Sequence, residues 1–174
     1  MPLAVTHVLL TIIAVDLYRD YVAKHRKYFT MWTLFIAGIG GLLPDIDIPL
    51  FRFLTSIGID IPLLAHGEIM HTVIFGLVFL IPFAVFWLWK KHRLALLFLV
   101  ITFGILFHIF LDYLVGGGDI NGIMAFYPFS TERFKLFLLG GGSEAFLSNA
   151  GLDAAILLLW LLHEERKHKI KDFI

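Results

Sequence analysis

One long apolar run, residues 94–115, constrains this chain more than any other feature. A bilayer core needs about 20 predominantly apolar residues in a helix, so the run is long enough to cross a membrane. It nevertheless contains His108 and Asp112, two side chains that are costly to place in an apolar helix. Because they are four residues apart, both project from one helical face and can converge on one ion. The run therefore predicts a membrane-embedded helix with an ion-binding face.

Four further apolar segments accompany this run, at residues 3–17, 31–43, 72–89 and 150–162. The chain is 59% hydrophobic and 16% charged, with a mean hydropathy of +0.87, which excludes an ordinary soluble domain. The segment at 72–89 is predicted to span together with 94–115, whereas the other three are short and are expected to be tilted, partly embedded or shielded. No linker or repeat divides the chain. Residues 1–174 are therefore predicted to form one all-α domain, a membrane bundle of about five embedded helices.

Basic residues predict the orientation of this bundle. They form three clusters, which follow the first segment, fill the turn between the third and fourth, and end the chain. If all five segments cross, only Arg52, Arg133 and Lys135 of the fourteen basic residues lie on the other side. Because positive loops stay cytoplasmic, we expect a plasma or inner membrane protein with its N-terminus outside and its C-terminus inside. The start of the chain lacks the pattern of a cleaved signal peptide, and a net charge of zero gives no reason to expect nucleic-acid binding.

Seven candidate metal ligands fall at one depth on the outer side of the predicted bundle. The chain has no cysteine, so histidines and carboxylates are the strong ligand types it can offer. Ionisable groups inside a membrane are expensive, so a shared depth indicates a functional site more strongly than any single residue does. The candidates are His7, Asp45, Asp47, His66, His71, His108 and Asp112, with Glu68 as an uncertain eighth.

Several of these residues also have a purely structural explanation. His7 alone could be a packed histidine, and the acidic pair Asp45 and Asp47 could end a helix in an Asx turn. In extended geometry, however, both carboxylates of that pair point to one side, which suits a bridge between two cations. His66 and His71 are five residues apart, so they face one ion only if His66 lies in the loop before the helix.

Four short motifs carry the candidates: Thr-His7-Val-Leu-Leu-Thr, Pro-Asp45-Ile-Asp47, His66 to His71-Thr, and His108-Ile-Phe-Leu-Asp112 with a later Tyr-Pro. Their order and approximate spacing, from His7 to Pro128, resemble the YdjM family of membrane-bound metal-dependent hydrolases. That family is related to the zinc-dependent phospholipase C and nuclease superfamily, whose sites bind two or three zinc ions through His and Asp. The resemblance implies the same role for the seven candidates.

The chain departs from the family pattern at three places. Ile48 stands where the family usually has His, and Gly67 stands where it usually has Arg. A glycine run that ends in Asp119 replaces the family's Thr-Pro. Asp119, Glu144 and Asp153 are therefore candidates for additional ligands.

The leading interpretation is a membrane hydrolase with two or three zinc ions at the outer face, acting on a lipid or another phosphoester. In it, Asp45 or Asp47 bridges metals or orients the nucleophile, and Glu68 or Asp119 fixes histidine tautomers. A metal or proton transporter is one alternative, although the inner halves of the third and fourth segments carry almost no polar groups. A structural membrane protein with a degenerate metal site is another. Membrane lipids are the partners that the sequence indicates, and it does not indicate an oligomeric state.

Overall fold

Seven α-helices make up most of the described chain, which comprises residues 4–24, 28–115, 122–136 and 150–168 of a computed structural model. They are α1 (Ala4–Leu17), which continues as π-helical turns over Tyr18–Ala23, α2 (Met31–Leu42), α3 (Asp47–Ser56), α4 (Val73–Val78), α5 (Leu80–Leu88), α6 (His92–Val115) and α7 (Ala150–His168). Short 3-10 turns at Pro44–Ile46, Pro62–Leu64 and Ile69–His71 lie between α2 and α4. The predicted all-α architecture is confirmed.

Within the described residues, α6 is the one single helix that is long and apolar enough to cross a membrane, over His92–Leu114. The pair Met31–Leu42 and Pro44–Ser56 meets the same criteria only jointly and is bent by 51°. Five crossings are thus not confirmed. The predicted span at 72–89 is not confirmed, because Val73–Leu88 is a shorter apolar helix that is interrupted at Phe79 between α4 and α5. Pro82 explains the break, since it cannot donate the backbone hydrogen bond that would continue α4.

Helical backbone follows Pro44, where the sequence predicts a loop. Pro44 is the first residue of a 3-10 turn, and α3 begins directly afterwards at Asp47. Pro49 falls in the first turn of α3, where a missing N–H is tolerated, and the Asp47 carboxylate favours the positive end of the helix. The two aspartates are therefore not in the extended geometry that would point both carboxylates to one side. Their carboxylates are oriented by consecutive helical turns.

The backbones of α2 and α6 touch at glycines. A Cβ atom on Gly104 would lie 2.6 Å from the carbonyl oxygen of Ala37, and one on Gly40 would lie 2.8 Å from that of Ile101. Small residues at such crossings let helices approach closely in a membrane. The close approach brings His108, one turn beyond Gly104, next to the last turn of α2.

The segment 122–136 covers the end of the bundle at which His108 lies. It folds back on itself through an antiparallel bridge between Ile123 and Phe134. Two backbone hydrogen bonds tie it to the segment before α4: Met124 N–H donates to the Gly67 carbonyl at 3.0 Å, and Val73 N–H donates to that of Ala125 at 2.8 Å. Ile123 and Ala125 pack with α6 in one apolar cluster. This cover holds the histidine-bearing turn against α6.

Candidate metal centre

All seven candidate ligands come together at the covered end of the bundle. One comes from α1, one from the turn between α2 and α3, one from the first residue of α3, two from the turns before α4 and two from α6. In chain order they are His7, Asp45, Asp47, His66, His71, His108 and Asp112. His66 lies in a turn ahead of α4, the position required for it to face the same centre as His71. The side chains are buried except those of His66 and Asp45, which are 18% and 13% exposed.

Asp112 lies at the middle of three imidazoles. Its Oδ1 is 3.1 Å from Nε2 of His7, and its Oδ2 is 3.2 Å from Nε2 of His108 and 3.3 Å from Nε2 of His71. The rings of His7 and His108 stack with their centroids 4.0 Å apart. Donor atoms of His7, His108 and Asp112 are close enough together to bind one metal ion.

Asp45 belongs to a neighbouring group with His66 and His71, whose donor atoms are also close enough for one ion. Its Oδ1 is 3.6 Å from Nε2 of His108, 3.8 Å from Nε2 of His71 and 3.9 Å from Nδ1 of His66. This oxygen therefore points into the space between the two groups. The two groups are adjacent, and His71 contacts the carboxylates of both.

The Asp47 carboxylate and the Gly41 carbonyl contact the Nδ1 atoms of three of the imidazoles. The Asp47 carboxylate is 3.0 Å from Nδ1 of His66 and 3.1 Å from Nδ1 of His71. The Nδ1 of His108 donates to the Gly41 carbonyl at 2.7 Å. Hydrogen bonds at Nδ1 of His66 and His108 fix the tautomers of these two rings and leave the lone pair of Nε2 for a ligand, whereas the contact of Asp47 with Nδ1 of His71 lacks hydrogen-bond geometry. The Nε2 atoms of His71 and His108 accordingly face Asp112 and Asp45.

The donor set fits a divalent metal such as zinc. The buried Nε2 atoms of His7, His66, His71 and His108 make no hydrogen bond of good geometry, which is costly unless another partner takes them. A tetrahedral zinc site with bonds of 2.0–2.1 Å has ligand atoms about 3.3 Å apart. The contacts of 3.1–3.3 Å around Asp112 match that spacing. Imidazole and carboxylate are ligand types that zinc accepts.

The electrostatics of His71 also favour a cation here. Burial of its imidazole opposes protonation, but the carboxylates of Asp112 and Asp47 outweigh burial and raise the pKa of His71 to about 9. The carboxylates thus favour a positive charge between them, which either a proton or a metal ion can supply. Because a metal ligand must be deprotonated, metal binding at His71 releases a proton.

Of the four additional acidic candidates, the two that lie in the described part of the chain, Glu68 and Asp153, have partners other than the seven ligands. Glu68 forms an ion pair with Arg133, whose guanidinium also donates to the Gly122 carbonyl at 3.3 Å. Asp153 accepts a hydrogen bond of 2.7 Å from Thr6. Asp119 and Glu144 lie outside the described residues.

A second buried polar cluster, at the other end of α1, was not predicted. The Arg19 guanidinium forms ion pairs with Asp16, Asp20 and Glu164, and Asp16 also accepts a hydrogen bond of 2.9 Å from the Trp160 indole. Sequence patterns place Arg19 in the basic cluster that follows the first apolar segment. The sequence contains a signal for this cluster, because Arg19 and Asp20 follow Asp16 by three and four residues and so lie on the same helical side as Asp16. Their partners on α7 are too distant in sequence to be identified.

Comparison with known proteins gives one match. The family described as YdjM inner membrane protein matches residues 1–169, a range that includes both polar clusters. No curated protein and no solved structure matches the chain.

Proposed function

The chain belongs to the YdjM inner membrane protein family and is a membrane protein, and from this premise we propose that it is a zinc-dependent hydrolase of phosphoesters at the membrane surface. The observation that carries the proposal is the convergence of four imidazoles and three carboxylates from four separate segments. Buried ionisable groups are expensive in a membrane protein and mark functional sites.

Two adjacent metal positions are supported by the geometry. His7, His108 and Asp112 form one, and Asp45, His66 and His71 form the other. Three protein ligands for each ion leave a coordination position open, which is typical of catalytic zinc and differs from closed structural sites. The open positions favour an enzyme over a purely structural role.

The two aspartates after Pro44 have different roles in this proposal. Bound zinc supplies a water whose pKa is lowered towards about 7 and a Lewis acid for phosphoryl oxygens. Asp45 is partly exposed and its Oδ1 points between the two groups, so one of its carboxylate oxygens would bind the second ion and the other would accept a proton from the attacking water. Water would then add to phosphorus, the ester P–O bond would break, and the leaving alkoxide would take the proton held by Asp45 and depart as the alcohol. Asp47 is buried against two Nδ1 atoms and acts as a positioning residue.

Exposed aromatic side chains next to the centre support a lipid-like substrate. Phe126 and Phe129 lie on the covering segment and are 51% and 87% exposed. Aromatic rings at such positions favour the membrane–water interface. They would bring the open side of the centre to the level of lipid headgroups.

The proposal is tested with purified protein loaded with zinc, using a nitrophenyl phosphodiester and a panel of phospholipids. We expect hydrolysis that a chelator abolishes and added zinc restores. Asp45→Asn should be inactive, whereas Thr102→Ala, which alters a buried hydroxyl elsewhere on α6, should retain activity. Turnover that is unchanged by the chelator, or no turnover of any phosphoester by the zinc-loaded protein, would contradict the proposal.

Cation or proton transport is a second candidate, supported by buried polar side chains at several depths of α1. His7, Thr11 and Asp16 are spread over about 14 Å along the helix axis, from the metal centre to the second cluster. A transport pathway needs polar groups through the depth of the bundle. In proteoliposomes, transport predicts a zinc or proton flux that Thr11→Val reduces, whereas a hydrolase without transport predicts no flux.

A further inference from the structure

An apolar groove of about 450 Å³ lies between α1 and α6, at the end of α6 away from the metal centre. It is lined by Ala14, Val15, Tyr18, Phe29, Leu96, Leu99, Val100 and Phe103. Tyr18, Leu99 and Phe103 are exposed, so the groove opens to the side of the bundle. On a helix that meets the criteria of a membrane span, this opening faces the apolar part of the bilayer.

A basic mouth adjoins the groove. This second cavity, of about 360 Å³, is lined by Tyr28, Lys90, Lys91, His92, Arg93 and Leu94. Tyr28 precedes Phe29 of the groove in sequence, and Leu94 lies just before Leu96 on α6, so the two cavities are neighbours. In the part of the chain that the structure describes, none of Lys90, Lys91 and Arg93 pairs with a carboxylate, and all three are exposed.

A long apolar groove next to three cations without carboxylate partners suits a ligand that has both an apolar chain and a negatively charged group. A soluble anion would leave the groove unused, and a zwitterionic lipid would bring no net charge to the basic mouth. Basic pockets at the ends of membrane helices are suited to anionic headgroups. His92 is 16 positions before His108, about 24 Å along α6, so this site is separate from the metal centre. We propose that the groove and its basic mouth bind one anionic phospholipid, with an acyl chain along α6 and the phosphate at Lys90, Lys91 and Arg93.

Native mass spectrometry of the full-length, delipidated protein tests the proposal. The probes are phosphatidylglycerol and phosphatidylcholine with identical acyl chains, titrated separately. We expect tighter binding of phosphatidylglycerol, by about fivefold for each basic residue in contact. The triple variant Lys90→Gln, Lys91→Gln, Arg93→Gln should lose this preference but keep weak binding of both lipids. A matched triple variant, Arg52→Gln, Lys135→Gln, Arg166→Gln, removes the same charge at positions that line neither cavity and should keep the preference.

The groove itself is tested by Ala14→Phe, which fills it with an apolar side chain and adds no charge. This variant should weaken binding of both lipids. Equal binding of the two lipids by the wild type, or equal losses in the two triple variants, would overturn the proposal. So would an Ala14→Phe variant that binds lipid normally but changes the oligomeric state, since the groove would then be an interface between copies of the chain. Unchanged helix content by circular dichroism verifies that each variant is folded.

Discussion

At the scale of single residues, substitutions of Asp45 and of Asp47 should affect zinc-dependent hydrolysis in different ways. Asp47→Asn weakens the acceptor behind His66 and His71, and loss of such a partner typically costs 10–100-fold in metal affinity. We therefore expect weaker zinc binding and recovery of activity at saturating zinc. Asp45→Asn should stay inactive at any zinc concentration. Zinc titrations of hydrolysis distinguish the two, and identical behaviour of both variants would contradict the assignment.

The sequence predicts the members of this centre but not the role of each. Histidines and carboxylates from distant segments share one depth, and that depth follows from hydropathy alone. The position of Asp47 behind two imidazoles depends on the helical turn that follows Pro44. A short acidic stretch after an apolar segment is equally compatible with a loop, so this local geometry could not be predicted.

At the scale of helices, the α2–α6 contact should tolerate no side chain at Gly104. In Gly104→Ala the new Cβ would meet the backbone oxygen of Ala37, so the helices must separate at a cost of about 1–3 kcal/mol. We expect a lower melting temperature in detergent and weaker zinc binding, since the Gly41 carbonyl would move away from His108.

The matched variant is Gly76→Ala, where the nearest atom is the flexible end of the Leu106 side chain. This variant should melt close to the wild type. If Gly104→Ala also melts like the wild type and binds zinc normally, the close helix contact does not position the centre.

The attachment of α7 should weaken as the pH rises. Burial and the neighbouring Asp16 raise the pKa of Glu164 from an ordinary 4.5 to about 7. A carboxyl group with a raised pKa in the folded state contributes stability that is complete below about pH 4.5 and is lost as the pH rises through about 7. The wild type should therefore melt at a lower temperature at about pH 8 than at about pH 6, and Glu164→Gln should reduce the difference. An undiminished difference in the variant would show that another group is responsible.

The helix boundaries show what patterns of hydropathy miss. Residues 72–89 form one apolar run, and the break at Phe79 comes from Pro82, a signal that the run conceals. The contact of α7 with α1 joins residues about 145 positions apart, such as Arg19 and Glu164. Pairing at that separation depends on how the helices pack, which periodicity alone does not specify.

At the scale of the whole molecule, the orientation in the membrane is a prediction from the basic clusters. The chain has no cysteine, so single cysteines can be introduced without background. Thr131→Cys, on the segment that covers the centre, should react with an impermeant maleimide from the outside of intact cells. Arg166→Cys, on α7, should react only after the membrane is opened. Reversed labelling would put the metal centre on the cytoplasmic side.

The central claim is that the histidine–aspartate cluster binds metal, and elemental analysis of the purified protein after equilibration with zinc tests it directly. We expect about two zinc ions per chain in the wild type, one for each ligand group. His108→Ala and Asp112→Ala should each lose zinc, whereas Thr102→Ala should bind as much as the wild type. A wild type that retains no zinc, or zinc content unchanged in both ligand variants, would contradict the account.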